Sequence, residues 1–259
     1  MLPDRRPSIR ATLLAVALMV GATDALAQVG RYDPEAIRAH KVKTGDIKAP
    51  VSKFPGATRV SPEPDVTKSG SKALTEIVAL SQAKQYPQAM QKAEALASSS
   101  SNAYERGAAY QLAANAAADG GDNAKAAEYF KKALDSNGLD NDDHYQVMYN
   151  LAVTQYQTQH PADAVATLDR LVSETKSDAP DYLILKAASL AELHRPQEAA
   201  ALYAQVYGRD PANKKALMNA VAAYQQLAEQ VERQHQRSAV RPAPAWRSIS
   251  GSTPASWAA

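Results

Sequence analysis

The sequence contains no cysteine, which excludes disulfide bonds, thiolate metal sites and cysteine nucleophiles. Glycine is also scarce, at 11 of 259 residues, and only 2 Phe and 2 Trp are present. Basic residues exceed acidic ones by just 2, whereas a dedicated nucleic-acid-binding protein normally carries a strong basic excess. The chain is instead rich in alanine, which favours thin, closely packed helices over a sheet-based core.

Residues 1–27 have the pattern of a secretory signal peptide. Three arginines give a positive start, residues 11–22 form an apolar run, and residues 25–27 end in a small-x-small cleavage pattern. As a helix the apolar run spans only about 18 Å, against roughly 30 Å for the hydrocarbon core of a bilayer. We therefore expect cleavage before Gln28, a periplasmic mature protein, and no stable membrane insertion after cleavage.

Two further stretches lack a sustained helical pattern. Residues 28–70 are interrupted by proline and glycine and predict an extended Pro-rich tether; a partner-binding arm is the alternative interpretation. Residues 234–259 carry three arginines, no acidic residue and both tryptophans. That composition predicts a disordered basic tail, with a docking peptide as the alternative.

Residues 71–233 alternate apolar helical periods with short turns and predict one helical domain. Prolines mark five predicted first turns, where the missing N–H costs nothing and the fixed φ favours a helix. These are Pro87, Pro161, Pro180, Pro196 and Pro211. The predicted helices are 71–84, 87–98, 102–118, 122–136, 142–158, 161–174, 180–193, 196–208 and 211–233.

A pairing of small and large side chains recurs through these helices. Ala126, Phe130 and Ala133 share one helix face because they are spaced by four and three residues. The equivalent alanines of the other hairpins are Ala89, Ala164 and Ala199. Helix, tight turn and helix with this complementarity resembles the tetratricopeptide repeat (TPR). The resemblance implies an all-α, right-handed α-solenoid of about four helix hairpins plus a C-terminal solvating helix. An unspecified helical-hairpin solenoid is the alternative.

The resemblance also implies a concave partner-binding groove, lined by the first helix of each pair. The groove positions it predicts in this sequence are Leu74, Val78, Gln111, Asn115, Tyr149, Val153, Tyr156, Ile184, Ala188, Leu217, Val221 and Tyr224. None is Lys or Arg, so the carboxylate clamp of chaperone-binding TPR proteins is not expected. An apolar, tyrosine-bearing surface favours an apolar protein segment or helix as partner. In the alternative interpretation, some of these side chains pack between repeats.

No catalytic, cofactor-binding or metal-ligating pattern emerges from the sequence. The five histidines never fall at metal-ligand spacing. The acidic cluster at 140–143 lacks the alternating ligands of a calcium loop and predicts the N-cap of the fifth helix. We therefore expect no metal, no cofactor and no enzyme, but a periplasmic scaffold for a protein or peptide partner. An accessory or carrier subunit for a polysaccharide or cell-wall enzyme is the alternative.

Overall fold

The computed structural model of the protein describes residues 52–212 and 214–240. Every regular element within these residues is an α-helix, which confirms the all-α prediction. The helices are α1 (Lys68–Gln82), α2 (Tyr86–Ser99), α3 (Ala103–Asp119), α4 (Asn123–Asp135), α5 (Asn141–Gln157), α6 (Pro161–Thr175), α7 (Pro180–Glu192), α8 (Pro196–Arg209) and α9 (Lys214–Val240). Every bound except the end of α9 lies within three residues of its predicted place. The signal peptide predicted at 1–27 lies outside the described residues.

The hairpins α1–α2, α3–α4, α5–α6 and α7–α8 are closed by the same three-residue turn, whose middle residue is left-handed. These middle residues are Lys84, Gly121, Gln159 and His194, with φ of 59°, 84°, 62° and 57°. In the second hairpin, the N–H of Asp122 donates to the carbonyl of Ala117, and the N–H of Gly121 donates to that of Ala118. The other three turns repeat this pair of hydrogen bonds, which is the Schellman motif. The chain therefore contains four copies of one structural unit.

Helix starts are set by prolines and by side-chain caps. Proline occupies the first turn of α2, α6, α7 and α8, as predicted. Asp140 caps α5 by accepting a hydrogen bond from the N–H of Asp143, which confirms the capping role of the acidic cluster. The expectation that Pro211 begins the last helix is wrong. There the Asp210 side chain accepts a hydrogen bond from the N–H of Ala212 at 3.1 Å, and this turn delays α9 until Lys214.

Small side chains allow the two helices of each hairpin to approach closely. The repeated alanines are Ala89, Ala126, Ala164 and Ala199, and each is 0% exposed. Four residues after Ala126, the ring of Phe130 is also buried, as the small-to-large pattern predicts. Each helix packs on its neighbours in sequence. In addition, α1 touches α3 and α5 touches α7. These additional contacts bring first helices of successive hairpins together on one side.

The chain before α1 lies against the helices. Residues 52–61, which we call the strap, run across α5 and α6, and the ring of Phe54 is only 8% exposed. The part of the predicted tether that the structure describes, 52–67, is docked on the helices and makes a tight turn at Pro55 and Gly56, where the N–H of Ala57 donates to the carbonyl of Phe54 at 3.1 Å. The last three residues of the tether predicted at 28–70 belong to α1, because the Thr67 side chain caps that helix by accepting from the N–H of Gly70 at 3.0 Å.

The last helix is longer than predicted. α9 continues seven residues beyond the expected end at 233, as far as Val240, and Arg233 pairs with Glu229 one turn earlier. Ala220 and Ala223 pack its inner face onto the α7–α8 hairpin. The remainder of the predicted tail, 241–259, lies outside the described residues. Among the described residues, no helix combines the length and apolarity required to cross a membrane.

Candidate functional site

The groove positions predicted on α1 and α3 are mostly closed to solvent. Leu74, Val78 and Gln111 are buried, at 1%, 8% and 4% exposed, and Val153 of α5 is buried as well. The expectation that these side chains are exposed is therefore wrong. The reason is that α1 packs directly on α3, and α5 on α7, so their concave side chains fill the space between repeats.

Two polar side chains on this side of α3 lack hydrogen-bond partners. The side-chain oxygens of Gln111 and Asn115, one helical turn apart, are buried and accept no hydrogen bond. A buried acceptor without a partner costs roughly 1–3 kcal/mol. The repeat pattern places both residues at the groove, but it does not predict that their side-chain oxygens are buried without hydrogen-bond donors.

The groove opens at α5 and α7. Tyr149, Tyr156 and Ile184 are half-buried there, as is Ala188. The ring of Tyr149 contacts that of Tyr182, with 5.2 Å between ring centroids. Burial raises the pKa of both Tyr149 and Tyr156 above the ordinary value for tyrosine. Their hydroxyls therefore stay protonated at neutral pH and remain available as hydrogen-bond donors.

The outer face of α9 is the most exposed apolar surface of the described chain. Leu217, Val221 and Tyr224 recur at helical spacing and are 40%, 48% and 52% exposed. Met218 and Val231 extend the same helix surface at 58% and 41%. The predicted groove positions do not include Met218 or Val231, although the apolar character of both side chains is visible in the sequence. A helix predicted to shield the end of the solenoid thus carries an apolar face that nothing in the described residues covers.

These residues form one candidate site, which we call the open surface. It comprises Tyr149, Tyr156, Ile184, Leu217, Val221 and Tyr224. Ile184 links its two parts, because it packs against the cluster that contains Ala220 and Ala223 of α9. None of its six residues is charged, but the negative charges of Asp181 and Glu192 add to burial in raising the pKa of Tyr149 and of Tyr156, respectively. Lys186 of α7 is paired with Asp169 at 2.5 Å. The arrangement can bind apolar side chains and offer tyrosine hydroxyls.

A second concave feature is a polar cleft of about 500 Å³ beside the strap. Arg59, His144, Arg170 and Glu174 are among its lining residues. His144 is 3% exposed and neither ring nitrogen has a hydrogen-bond partner. Burial, followed by the charges of Arg59 and Arg170, lowers the pKa of His144 to about 4, so the ring is neutral at pH 7. Among the described residues, no group of three or more His, Asp or Glu side chains could hold a metal ion.

Comparison with known proteins agrees with this architecture. Residues 116–188 match the family model described as tetratricopeptide repeat. The structure of a MamA RS-1 ArsTM double mutant has a TM-score of 0.51 at 14% identity, covering 68% of this chain and 99% of that chain. The structure of YrrB, described as a TPR protein with an unusual peptide-binding site, has a TM-score of 0.48 at 25% identity, covering 59% of this chain and 74% of that chain. No curated protein matches the sequence.

The described chain is an α-helical repeat solenoid with an apolar candidate site on α5, α7 and α9. Its four equivalent hairpins resemble tetratricopeptide repeats, and the family model matches residues 116–188 among them. Helical-repeat solenoids of this kind use extended surfaces to bind their partners.

Proposed function

We propose that this protein is a non-enzymatic scaffold that binds an apolar protein segment on its open surface. The observation that carries the proposal is the uncovered face of α9, where Leu217, Val221 and Tyr224 are each at least 40% exposed. Contiguous exposed apolar surface on a soluble domain commonly marks an interaction site. The half-buried tyrosines of α5 form the other part of the open surface, and Ile184 of α7 packs against the cluster that contains Ala220 and Ala223 of α9.

The chemistry of the open surface favours an amphipathic helix as the bound segment. A helix presents apolar side chains at i, i+3, i+4 and i+7, which fit a surface built from parallel first helices. Tyrosine supplies a large contact area and one hydroxyl with little rotamer freedom to lose. Without lysine or arginine on the surface, affinity for the partner comes from apolar burial, and the tyrosine hydroxyls set its orientation.

We also propose that the scaffold acts in the periplasm. Support comes from the sequence alone: the arginine-bearing start, the apolar run at 11–22 and the small-x-small pattern at 25–27. In that compartment, a scaffold without cysteine is insensitive to oxidation of thiols.

Peptide selection tests the proposal directly. Phage-displayed 20-residue peptides are selected against the mature chain, and the bound sequences are measured by fluorescence anisotropy. We expect amphipathic helical sequences whose affinity falls at least about tenfold in the Leu217→Ser, Val221→Ser double variant. Val60→Ser is the matched control, because Val60 is 90% exposed and lies on the strap, away from α9.

Two results would contradict the proposal. The first is a set of selected peptides that bind the double variant as tightly as the wild type. The second is binding of soluble polysaccharide or peptidoglycan fragments with no peptide selected, which would favour the accessory role for a cell-wall enzyme.

A further inference from the structure

The strap is held on the solenoid by one buried aromatic anchor. The ring of Phe54 meets the ring of Tyr145 edge-on, with 5.1 Å between centroids. Met148 and Leu171, both fully buried, complete the pocket. These three walls come from α5 and α6, and Leu134 of α4 and Tyr182 of α7 pack around the same cluster.

Hydrogen bonds fix the backbone of the strap just before the anchor. The hydroxyl of Ser52 and the N–H of Lys53 both donate to the Asp142 carboxylate, at 2.7 and 3.0 Å. Asp142 lies in the first turn of α5, where a carboxylate is favoured by the helix dipole. The Asp142 carboxylate therefore binds the strap instead of capping α5.

A second set of hydrogen bonds fixes the strap beyond the anchor. The N–H of Thr58 donates to the carbonyl of Glu174 at 2.8 Å, at the end of α6. The Arg59 guanidinium donates to the side-chain oxygens of Asn141 and Asn137 at 2.8 and 3.0 Å. The Asn141 amide donates back to the carbonyl of Arg59 at 2.9 Å. Asn141 thus pairs with both the side chain and the backbone of Arg59. Side chains that recognise one residue of a bound peptide make hydrogen bonds of this kind.

Charge also matches between the strap and its site. The strap carries Lys53 and Arg59 and no acidic residue. Around it stand Asp135, which lines the adjoining cleft, Asp142, and Asp140, which interacts with the Arg59 charge. Two cations of the helical hairpin lie near the strap: Arg170 is paired with the Glu174 carboxylate at 2.6 Å, and Lys176 lies beside Gly56.

We propose that the strap site is a peptide-recognition site, filled in the free protein by the strap and open to a segment of a partner protein with the same chemistry. That segment is basic, carries an aromatic anchor followed by a tight turn, and has an arginine five residues after the aromatic. The site adjoins the open surface at Tyr149, which packs against the Phe54 cluster, but the proposal does not depend on the proposed function. Its residues, Asp142, Tyr145, Met148, Leu171 and Asn141, are not part of the open surface.

The strap can be exchanged because only its anchor is buried. Lys53, Pro55, Gly56 and Thr58 are exposed, so the apolar surface uncovered when the strap leaves is mainly the Phe54 ring and the walls of its pocket. The link to α1 is short, and a short link holds a ligand at an effective concentration of about 1 mM. A peptide of equal intrinsic affinity therefore competes poorly with the wild-type strap, and a test must first weaken the strap.

The test uses the full mature chain carrying Phe54→Ala and Arg59→Ala together. A fluorescein-labelled peptide with the sequence of residues 52–61 is titrated and its anisotropy is followed. We expect the peptide to bind the double variant at least about tenfold more tightly than the wild type. A peptide with alanine in place of the phenylalanine should lose this binding, and added salt should weaken it. Tyr224→Ala, added to the double variant as a control on the open surface, should leave binding unchanged.

A double variant that keeps the wild-type helical spectrum but binds the peptide no better than the wild type would overturn the proposal. Equal binding of the alanine peptide would overturn it as well. Amide exchange of the wild-type chain provides a test without any substitution. The N–H of Thr58 should exchange at least about a hundredfold faster than that of Ala126. Exchange of both amides at one rate would make the strap a permanent part of the fold and would contradict the proposal.

Discussion

The carboxylate of Glu105 accepts hydrogen bonds from both the backbone N–H and the hydroxyl of Thr67, each at 2.7 Å. Ser100 donates a third at 2.6 Å, and Glu105 itself is 3% exposed. Gly70 makes this possible, because a Cβ there would lie 2.1 Å from a carboxylate oxygen. One buried acid thus ties the chain before α1 to the start of α3.

The pKa of Glu105 predicts acid sensitivity. Burial alone would raise this pKa, but the hydrogen bonds from Ser100 and Thr67 outweigh it and hold the pKa below its ordinary value. The resulting stabilisation is present above the unfolded-state pKa of about 4.3 and is lost as pH falls through the lower folded-state pKa. Glu105→Gln should lower the free energy of unfolding at pH 7 by about 1.5–3 kcal/mol and flatten its decline in acid.

Urea unfolding at pH 7 and at a series of acidic pH values measures this effect. Glu128→Gln is the matched control, since Glu128 is an exposed glutamate of α4. Parallel pH curves for wild type and Glu105→Gln would show that the carboxylate is not stabilised in the folded state.

The close packing of hairpins predicts the effect of enlarging Ala126. This residue is 0% exposed, and a leucine there must force α4 away from α3. Overpacking of this kind costs about 1–3 kcal/mol, so Ala126→Leu should lower the melting temperature followed by circular dichroism. Ala124→Leu on the exposed side of α4 should melt close to the wild type. Equal melting temperatures for the two variants would contradict the packing described above.

His144 predicts a second, separate pH dependence. Its pKa is lowered to about 4 in the folded chain, mainly by burial, against about 6.5 when unfolded. The unfolded chain therefore takes up a proton first, and stability should fall as pH drops from about 6.5 to about 4. His144→Phe should remove this decline while leaving the Glu105 effect at lower pH. An NMR titration of the His144 ring with a midpoint near 6.5 would disprove the assignment.

The helices were predictable because their signals are local. Three signals each act within a few positions: proline at a first turn, a capping side chain and a left-handed turn residue. The 3.6-residue periodicity predicts the helices between them. The strap was not predictable as a docked element. A single Phe54 next to Pro55 and Gly56 has no period, and its pocket is made by residues about 90 to 120 positions away.

The sequence predicts which residues line the groove, but it does not predict which of their side chains are exposed to solvent. The repeat places Leu74 and Leu217 at equivalent sites, yet one is 1% exposed and the other 40%. The difference arises because α1 packs against α3, whereas the outer face of α9 meets no further helix within the described residues. Contacts between repeats decide exposure, and no single repeat contains that information.

If the chain is exported as proposed, the mature protein has a defined N-terminus. Mature protein purified from a Gram-negative host should begin at Gln28, because signal peptidase cleaves after the small-x-small pattern. Intact mass spectrometry measures this. Ala27→Tyr should block cleavage and leave the precursor, since a large side chain does not fit at the cleavage site. Wild-type protein that retains Met1 would refute the periplasmic proposal.

The central claim is that the open surface binds the partner, and Tyr224 tests it most directly. Because Tyr224 is 52% exposed, Tyr224→Ala should change the free energy of unfolding by no more than about 0.5 kcal/mol. If it anchors a partner, the same variant should lose about 2 kcal/mol of binding, roughly thirtyfold in affinity for a selected peptide. Adding Tyr149→Ala and Tyr156→Ala, which are half-buried, should lower the melting temperature as well. A Tyr224→Ala protein that melts and binds like the wild type would contradict the account.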